Sequence, residues 1–555
     1  MRKIIATLQK NSFKLSLLCF FLVSFYSYGA YTIESSSYLG GSGTTDRVYG
    51  SAILNDGTIV LAACITDANP GNVTPILLNG ATASSSGAIV RLSSDGRTVL
   101  SVTRVADQVT DLSIDSQDRL YVAAMGGGAL ILNKTASTLL WSNTFSKSVQ
   151  RIDASPSGRF AVLISNTTFL NKTVTSGEVY NYDNTFDLVG NWSTGMQYSL
   201  DVCIDETSET VISIGFKNIT AADQSGSNPV DVSIYKGWSY TGTQKYKAYD
   251  WNGTRDDPRW INLPENNMAD SRGARCEMGE DGKLYMTFAV DGGNHIFRYS
   301  PFNISTRSSI VGGDKYHAFY NTKTEKKTFF GRYNANDGTY IKGQQFCARL
   351  SAGAGSTAHP EFGDIHADAD GRVYVIGTSA SGLPLSMEPI TGGYTGGAFV
   401  LIMNPDFTTR ELCTRTAISG EGNTIAARNG KVVIGGYIAT TQILYTTAAI
   451  DNIANGNDGF FSVFSNGNVN TGSSVNITSP GNESIIYPSI TSGKLTIENA
   501  SNSIVRIYNM NGKLVESFSV IGSPEIITIN GVPGIYNLII CKENGVIETH
   551  TILKQ

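Results

Sequence analysis

Histidine is nearly missing from this chain: 555 residues contain five, and four of them (His295, His317, His359 and His366) fall within one stretch of 72 residues. Charge is also sparse at 16%, and the net value of −5 gives no basic surface for nucleic acid or an anionic membrane to read. The seven cysteines are far apart, so neither zinc-type spacing nor the dense framework of a small disulfide scaffold is present. Cys19 lies in the N-terminal apolar run, and for the other six both one or two disulfides and isolated buried thiols stay open. No long segment repeats with a 3.6-residue period, which excludes a helical body. Serine-hydrolase and phosphate-loop signatures are absent as well.

Apolar character is concentrated at the start. Basic residues at 2, 3, 10 and 14 precede the run Leu15 to Tyr26, and the small residues Gly29 and Ala30 follow. That order is the one found in a cleaved secretory signal over 1–30, and the run is too short to span a bilayer comfortably. No later segment is long enough to cross a membrane, so no membrane span is expected.

Between 31 and 464 a short unit recurs: an apolar strand, a tight Asp/Asn/Ser-Gly turn, and a strand rich in β-branched and aromatic residues. It appears at Asn55–Val60, Asp115–Tyr121, Ser155–Phe160, Asp205–Val211, Glu280–Tyr285, Asp368–Tyr374 and Arg428–Val433. Seven turns spaced for four-stranded units predict an all-β fold, a β-propeller with seven blades, because radial repetition protects most sheet edges. The opening Tyr38-Leu39-Gly40-Gly41-Ser42-Gly43 resembles the first turn of a bacterial propeller repeat family found in secreted proteins. A polar linker over 465–484 then leads to a small C-terminal β-sandwich over 485–555.

This last domain has short alternating runs punctuated by Ser492-Gly493 and Asn511-Gly512, the hairpin signature. It contains Tyr487-Pro488, Thr491-Ser492-Gly493, Asn511-Gly512, Val532-Pro533-Gly534-Ile535-Tyr536 and a final Lys554-Gln555. In that order and spacing the tail resembles the C-terminal sorting domain of the type IX secretion system, with Ser489 and Ile490 in place of the usual Asn-Pro. The resemblance implies a Bacteroidetes-type bacterium, the type IX machinery as partner, and a secreted or outer-surface location.

For chemistry, the region Trp251 to Leu350 draws attention: 14 Lys/Arg against 11 Asp/Glu give it a net charge of +3 in an acidic chain. His295, Tyr299, His317 and Tyr320 are the expected catalytic residues, with His295, Phe297 and Tyr299 sharing one face of a strand. Arg259, Trp260, Arg272, Arg275, Arg332 and Tyr333 are the expected substrate-binding residues. Arginine neutralises a sugar carboxylate, a His or Tyr removes the α proton, and aromatic faces stack on sugar rings. The expected partner is therefore an anionic polysaccharide, and the expected reaction on a uronate glycan is β-elimination of lyase or dehydratase type. The architecture also looks similar to propeller-type polysaccharide lyases. A noncatalytic glycan-binding adhesin and a glycoside hydrolase are the alternatives, since fold does not fix function.

A second motif, Asp364-Ile365-His366-Ala367-Asp368-Ala369-Asp370-Gly371, resembles the core of a calcium loop. Asp364, Asp368 and Asp370 are its candidate ligands, and His366 stands where an oxygen ligand is preferred. An ordinary blade turn fixed by an Asx hydrogen bond is the competing reading.

Overall fold

The computed structural model describes the chain except residues 1–30, 42–45, 68, 79, 166–176, 219–230, 251–269, 292–295, 304, 309–325, 347, 350–354, 357, 381–395, 416–418, 439–448, 453–456, 467–484, 488–489, 499, 502, 510–513, 523, 531, 543–546 and 555. The chain divides into two compact units, Met1–Asn468 and Val469–Gln555.

The first unit is a β-propeller. Its described residues form seven antiparallel meander sheets, six of four strands and one with a short fifth strand, Ile76–Leu77, added parallel to its outer strand, together with a two-stranded ribbon, Ala348–Arg349 with Gly355–Ser356. The first strands of these blades, in order, are Arg47–Ile53, Val109–Ile114, Ser148–Ala154, Tyr198–Asp205, Ser271–Met278, Ala358–Ala367 and Glu421–Arg428. Each touches the first strand of the next blade, and the seventh touches the first, so they enclose a central channel. Blade 7 takes its outermost strand from the chain start: Tyr31–Leu39 pairs antiparallel with Asp458–Asn466 and ties the two ends of the ring.

Each of the seven Asx/Ser-Gly turns joins the first and second strands of one blade. These turns use positive φ, which glycine supplies without steric cost at Gly57 (φ 83°), Gly158 (90°), Gly282 (71°), Gly371 (80°) and, beside Asn429 (50°) in the two-residue turn of blade 7, Gly430 (73°). Blades 2 and 4 place Asp118 (φ 61°) and Glu209 (φ 48°) in that conformation. Second strands such as Ile59–Cys64 and Phe160–Ser165 are buried at every position, because each blade is covered on both faces by its neighbours.

Four cysteines, Cys64, Cys203, Cys276 and Cys413, are buried, and no disulfide joins them in this structure. Cys347 lies outside the described residues. An aromatic core lies between blades 4 and 5, where Tyr235, Tyr249, Phe288, Phe297 and Tyr333 pack together.

In the second unit, two sheets hold Ile485–Tyr487, Lys494–Glu498 and Glu525–Thr528 on one side, and Ile490–Thr491, Ser503–Asn509, Leu514–Val520, Gly534–Lys542 and Ile547–Lys554 on the other. Their inward residues, among them Leu495, Ile497, Val505, Ile507, Leu538 and Ile540, make one core. One pairing is parallel: Ile490–Thr491 runs alongside the final strand, matching Ile490 with Leu553.

Candidate functional site in the central channel

Every first strand slips register by one or more residues before it reaches its turn. The slips fall between Val48 and Gly50, Val109 and Asp111, Val149 and Arg151, Ser199 and Asp201, Gly273 and Arg275, His359 and Asp364, and Gly422 and Thr424. A bulge re-aims the side chain that follows it. The seven residues just after the slips therefore form one tier: Gly50, Asp111, Arg151, Asp201, Arg275, Asp364, Thr424. Acid and arginine alternate through blades 2 to 6. Two residues further along, where side chains return to the same face, stands a second tier: Ala52, Ser113, Asp153, Cys203, Glu277, His366, Ala426.

Most of these side chains line a cavity of about 420 Å³ that extends to the turns at Ser116, Pro156, Thr207 and Gly282.

Part of this charge holds the ring closed. Asp111 Oδ2 accepts the amide of Ile152 at 3.0 Å, Asp201 Oδ2 that of Cys276 at 3.0 Å, and Asp364 Oδ2 that of Ile425 at 3.1 Å. In each case an acid of one blade clasps the backbone of the next. Asp153 does the same in the second tier, taking the Ile204 amide at 2.9 Å and the Ser113 hydroxyl at 2.9 Å. Arg151 spans two acids, with Nη1 3.2 Å from Asp111 and Nε 3.8 Å from Asp201. Arg275 Nη1 donates to the Ala274 carbonyl at 3.0 Å, and its guanidinium feels both Asp201 and Asp364.

The remaining groups form an acid–base centre. His366 Nδ1 and Glu277 Oε1 are 2.6 Å apart, and the side chains keep 14% and 29% exposure to the cavity. His366 Nε2 has no hydrogen-bond partner among the described residues. Burial alone would lower the imidazole's proton affinity, but the Glu277 carboxylate overrides it and raises His366 to about 9. Burial raises Glu277 to about 7, with His366 pulling the other way. Asp153 is pushed by burial to about 8 despite its two donors, and Asp201 to about 6 despite Arg151 and Arg275. Arg275 is lowered to about 10 by burial and by Arg151. Three carboxyls and an imidazole thus change charge across the neutral range within one cavity.

Of the residues singled out from sequence, Arg275 and Asp364 stand in the channel. Arg259, Trp260, His295, His317 and Tyr320 lie outside the described residues. The strand expected through Tyr299 is corrected: Ile296–Arg298 is a 3-10 helix. Its three consecutive residues are all buried, which an alternating strand with one open face cannot achieve. Tyr299 follows it in the core, and its carbonyl accepts the Tyr249 hydroxyl at 3.3 Å. Tyr333 is 1% exposed and packs edge-on against Tyr235 and Tyr340.

Two of the other arginines are braces. Arg332 Nε donates to the Tyr285 hydroxyl at 2.7 Å, and Nη2 donates to the carbonyls of Gly371 and Pro405 at 2.6 and 3.1 Å, linking blade 5 to blade 6. Arg272 pairs with Asp231 at 2.5 Å and Asp270 at 3.3 Å.

Of the two readings of the Asp364–Gly371 motif, the observed contacts of Asp368 are those of the blade turn. Asp368 fixes a blade turn, accepting the amides of Asp370 and Arg372 on Oδ1 and the Tyr374 hydroxyl and Arg372 Nη1 on Oδ2. The side chain of Asp370 is 80% exposed. Among the described residues, no group of three or more His, Cys, Asp or Glu side chains is arranged to hold a metal ion.

Asp111, Arg151, Asp153, Asp201 and Glu277 were not singled out from sequence, and His366 was noticed only as a misfit in a calcium loop. A signal for them exists. Each first-tier residue stands four places before a turn residue: Gly50 before Leu54, Asp111 before Asp115, Arg151 before Ser155, Asp201 before Asp205, Arg275 before Gly279, Asp364 before Asp368, Thr424 before Arg428.

No protein-family model and no curated protein matches the chain. Among solved structures it is similar to PorZ, a surface component of the type IX secretion system of Porphyromonas gingivalis, at 11% identity and a TM-score of 0.36, over 90% of this chain and 58% of that one. It is also similar to BamB from Moraxella catarrhalis (12% identity, TM-score 0.35, 79% of this chain, all of that one) and to the Swd1 β-propeller domain of Myceliophteria thermophila (10%, 0.39, 78% and 99%). The chain spans about three fifths of the length of PorZ. Among the described residues, no helix is long and apolar enough to cross a membrane.

Proposed function

We propose that the chain is an exported carbohydrate-active protein whose propeller acts on uronate-containing poly- or oligosaccharides by β-elimination at the turn end of the channel. The observation that carries this reading is the meeting, in one cavity, of the Arg275 guanidinium with two carboxyls, Glu277 and Asp153, whose proton affinities burial raises toward neutral pH. Elimination removes a proton α to a carboxylate and expels the substituent at the β carbon, so it needs a cation at the carboxylate, a base at the α carbon and a proton for the leaving oxygen.

Arg275 faces the sugar carboxylate. Glu277, held by His366, takes the α proton, since a base half-ionised near pH 7 is well matched to that task. Asp153 is a neutral acid at that pH and returns a proton as the C–O bond breaks. The C-terminal unit is read as the type IX address, which makes the protein secreted or surface-bound.

A noncatalytic glycan-binding propeller is the second reading. It is favoured by the four acids that clasp neighbouring blades, because those carboxylates already have a structural task. Incubation of the full chain with a panel of uronate polysaccharides, followed by the ultraviolet absorbance of the unsaturated uronate, separates the two. Growth of that absorbance is expected. Binding without any such product would replace the lyase reading with the adhesin.

A further inference from the structure

Blades 4 and 5 meet through two cysteines. The first-tier acids reach forward to the next blade, as the Asp201 bond to the Cys276 amide shows. Cys203 is two residues after Asp201 on the same strand and so points the same way, toward blade 5. Cys276 follows Arg275 by one residue and points back toward blade 4. Both residues belong to one core at 0% and 5% exposure, and each thiol is near enough to shift the other's proton affinity. Corresponding places at other blade junctions hold Ser113 with Ile152, Asp153 with Val202, and Glu277 with Ile365.

We propose that Cys203 and Cys276 are joined by a disulfide in the mature protein, locking blade 4 to blade 5 beside the channel. Two thiols give up two protons and two electrons to a disulfide-bearing oxidant of the secretory compartment. Its own S–S bond breaks and it leaves as two thiols. Burial pushes the Cys203 thiol up to about 11 and Cys276 well above the usual thiol range. Thiolate is therefore scarce once the blades have packed, which places the exchange before blade closure and protects the finished bond from reductants.

The test uses the full chain recovered from the oxidising periplasm of a bacterial host, so it does not depend on the sorting assignment. The protein is unfolded in an alkylating reagent without reductant, digested and mapped. A peptide linking Cys203 to Cys276 is expected in most of the chains, with Cys64 and Cys413 alkylated. Alkylation of both Cys203 and Cys276, or linkage of either to Cys347 or Cys541, would overturn the proposal. As a second readout, protein unfolded and refolded with excess thiol should melt a few degrees lower than the oxidised form. A Cys276→Ser variant should melt at the same temperature in both conditions, and a redox-dependent shift in that variant would also count against the bond.

Discussion

His366 Nδ1 lies 2.6 Å from Glu277 Oε1, and this contact joins the first strands of blades 5 and 6 inside the channel. Each partner changes the other's proton affinity, so replacing one should be visible on the other. In Glu277→Gln the burial that lowers the imidazole is opposed only by the smaller pulls of Glu280 and Asp364. The His366 titration followed by NMR should therefore move down from about 9. If Glu277 is the base, turnover should also fall on the order of a hundredfold or more. An unchanged His366 titration would contradict the pairing.

The channel acids predict an unusual dependence of stability on pH. A group with a raised folded pKa favours the native state below its unfolded value, and that contribution is lost as pH rises through the folded value. Glu277 (4.5 to about 7), Asp153 (3.8 to about 8), Asp201 (3.8 to about 6) and His366 (6.5 to about 9) all act in this direction. Turn carboxylates such as Asp56, Asp95 and Asp183 are lowered from 3.8 instead, so their contribution disappears in stronger acid. The melting temperature should therefore peak in mild acid, between about pH 4 and 6. Stability should decline from there to pH 9 by on the order of a few kcal/mol. A plateau through pH 8 would show that the channel groups titrate normally.

Removing one clasp should be costly in proportion to what it leaves behind. Asp201→Ala strips the Cys276 amide of its acceptor and Arg151 of one counter-charge, both buried. About 3–5 kcal/mol should be lost, as when one partner of a buried ion pair is removed. Asp201→Asn keeps an oxygen for the amide and should cost less. Urea unfolding of both variants gives the comparison, and equal losses would mean that the amide bond is not what the carboxylate supplies.

How much of this was legible in the sequence depends on which force sets each feature. The turns were readable because a hairpin that needs positive φ leaves glycine or a short polar residue at a fixed place, and each turn identified that way joins the first two strands of a blade. The site was hidden because each strand contributes only one or two of its side chains. Asp111 and Arg151 sit in different blades and gain meaning only when the turns are aligned. Arg272 and Arg332, expected from sequence to bind substrate, spend their charge on braces within and between blades, while His295 and His317 lie outside the described residues. His366, the histidine that does meet a carboxylate in the channel, is 89 residues from its partner.

Arg332 and Arg275 offer a control for that distinction. Arg332→Ala should lose hydrogen bonds to Tyr285, Gly371 and Pro405 and cost about 1–3 kcal/mol, with substrate affinity intact. Arg275→Lys keeps a cation in the channel but loses the planar fork that binds a carboxylate in bidentate fashion, and it should weaken substrate use far more than it weakens the fold. The reverse ranking in paired activity and denaturation measurements would place the ligand away from the channel.

The turn of blade 4 can be improved by a single change. Glu209 is an exposed residue held at φ 48°, in the left-handed region, at the end of the turn that joins Asp205 to its partner Thr210. An L residue in that conformation costs roughly 1–2 kcal/mol, partly offset by the greater chain entropy of glycine in the unfolded state. Glu209→Gly should therefore stabilise the propeller by about 0.5–1 kcal/mol. The measurement is the urea midpoint at unchanged slope. The converse change, Gly282→Ala in blade 5, meets no atom within 4 Å of the added methyl, so any loss there reports backbone strain alone. Destabilisation by Glu209→Gly would mean that the side chain makes a contact worth more than the strain it imposes.

Deletion of the C-terminal unit tests the address. The unit Val469–Gln555 has its own core, with Leu495, Ile497, Val505, Ile507, Leu538 and Ile540 drawn from both of its sheets. The propeller closes without it, because blade 7 is completed by Tyr31–Leu39 from the chain start. Removing Tyr487 to Gln555 should leave a propeller that melts within a few degrees of the full chain, since few contacts cross a domain boundary of this kind. In a bacterium with type IX secretion, the truncated protein should remain in the periplasm while the full chain reaches the medium or the cell surface. Restoring the tail on an unrelated periplasmic protein should carry that cargo outward. Export of the truncated chain would remove the sorting role from the tail and leave the propeller's own location to be explained by another signal.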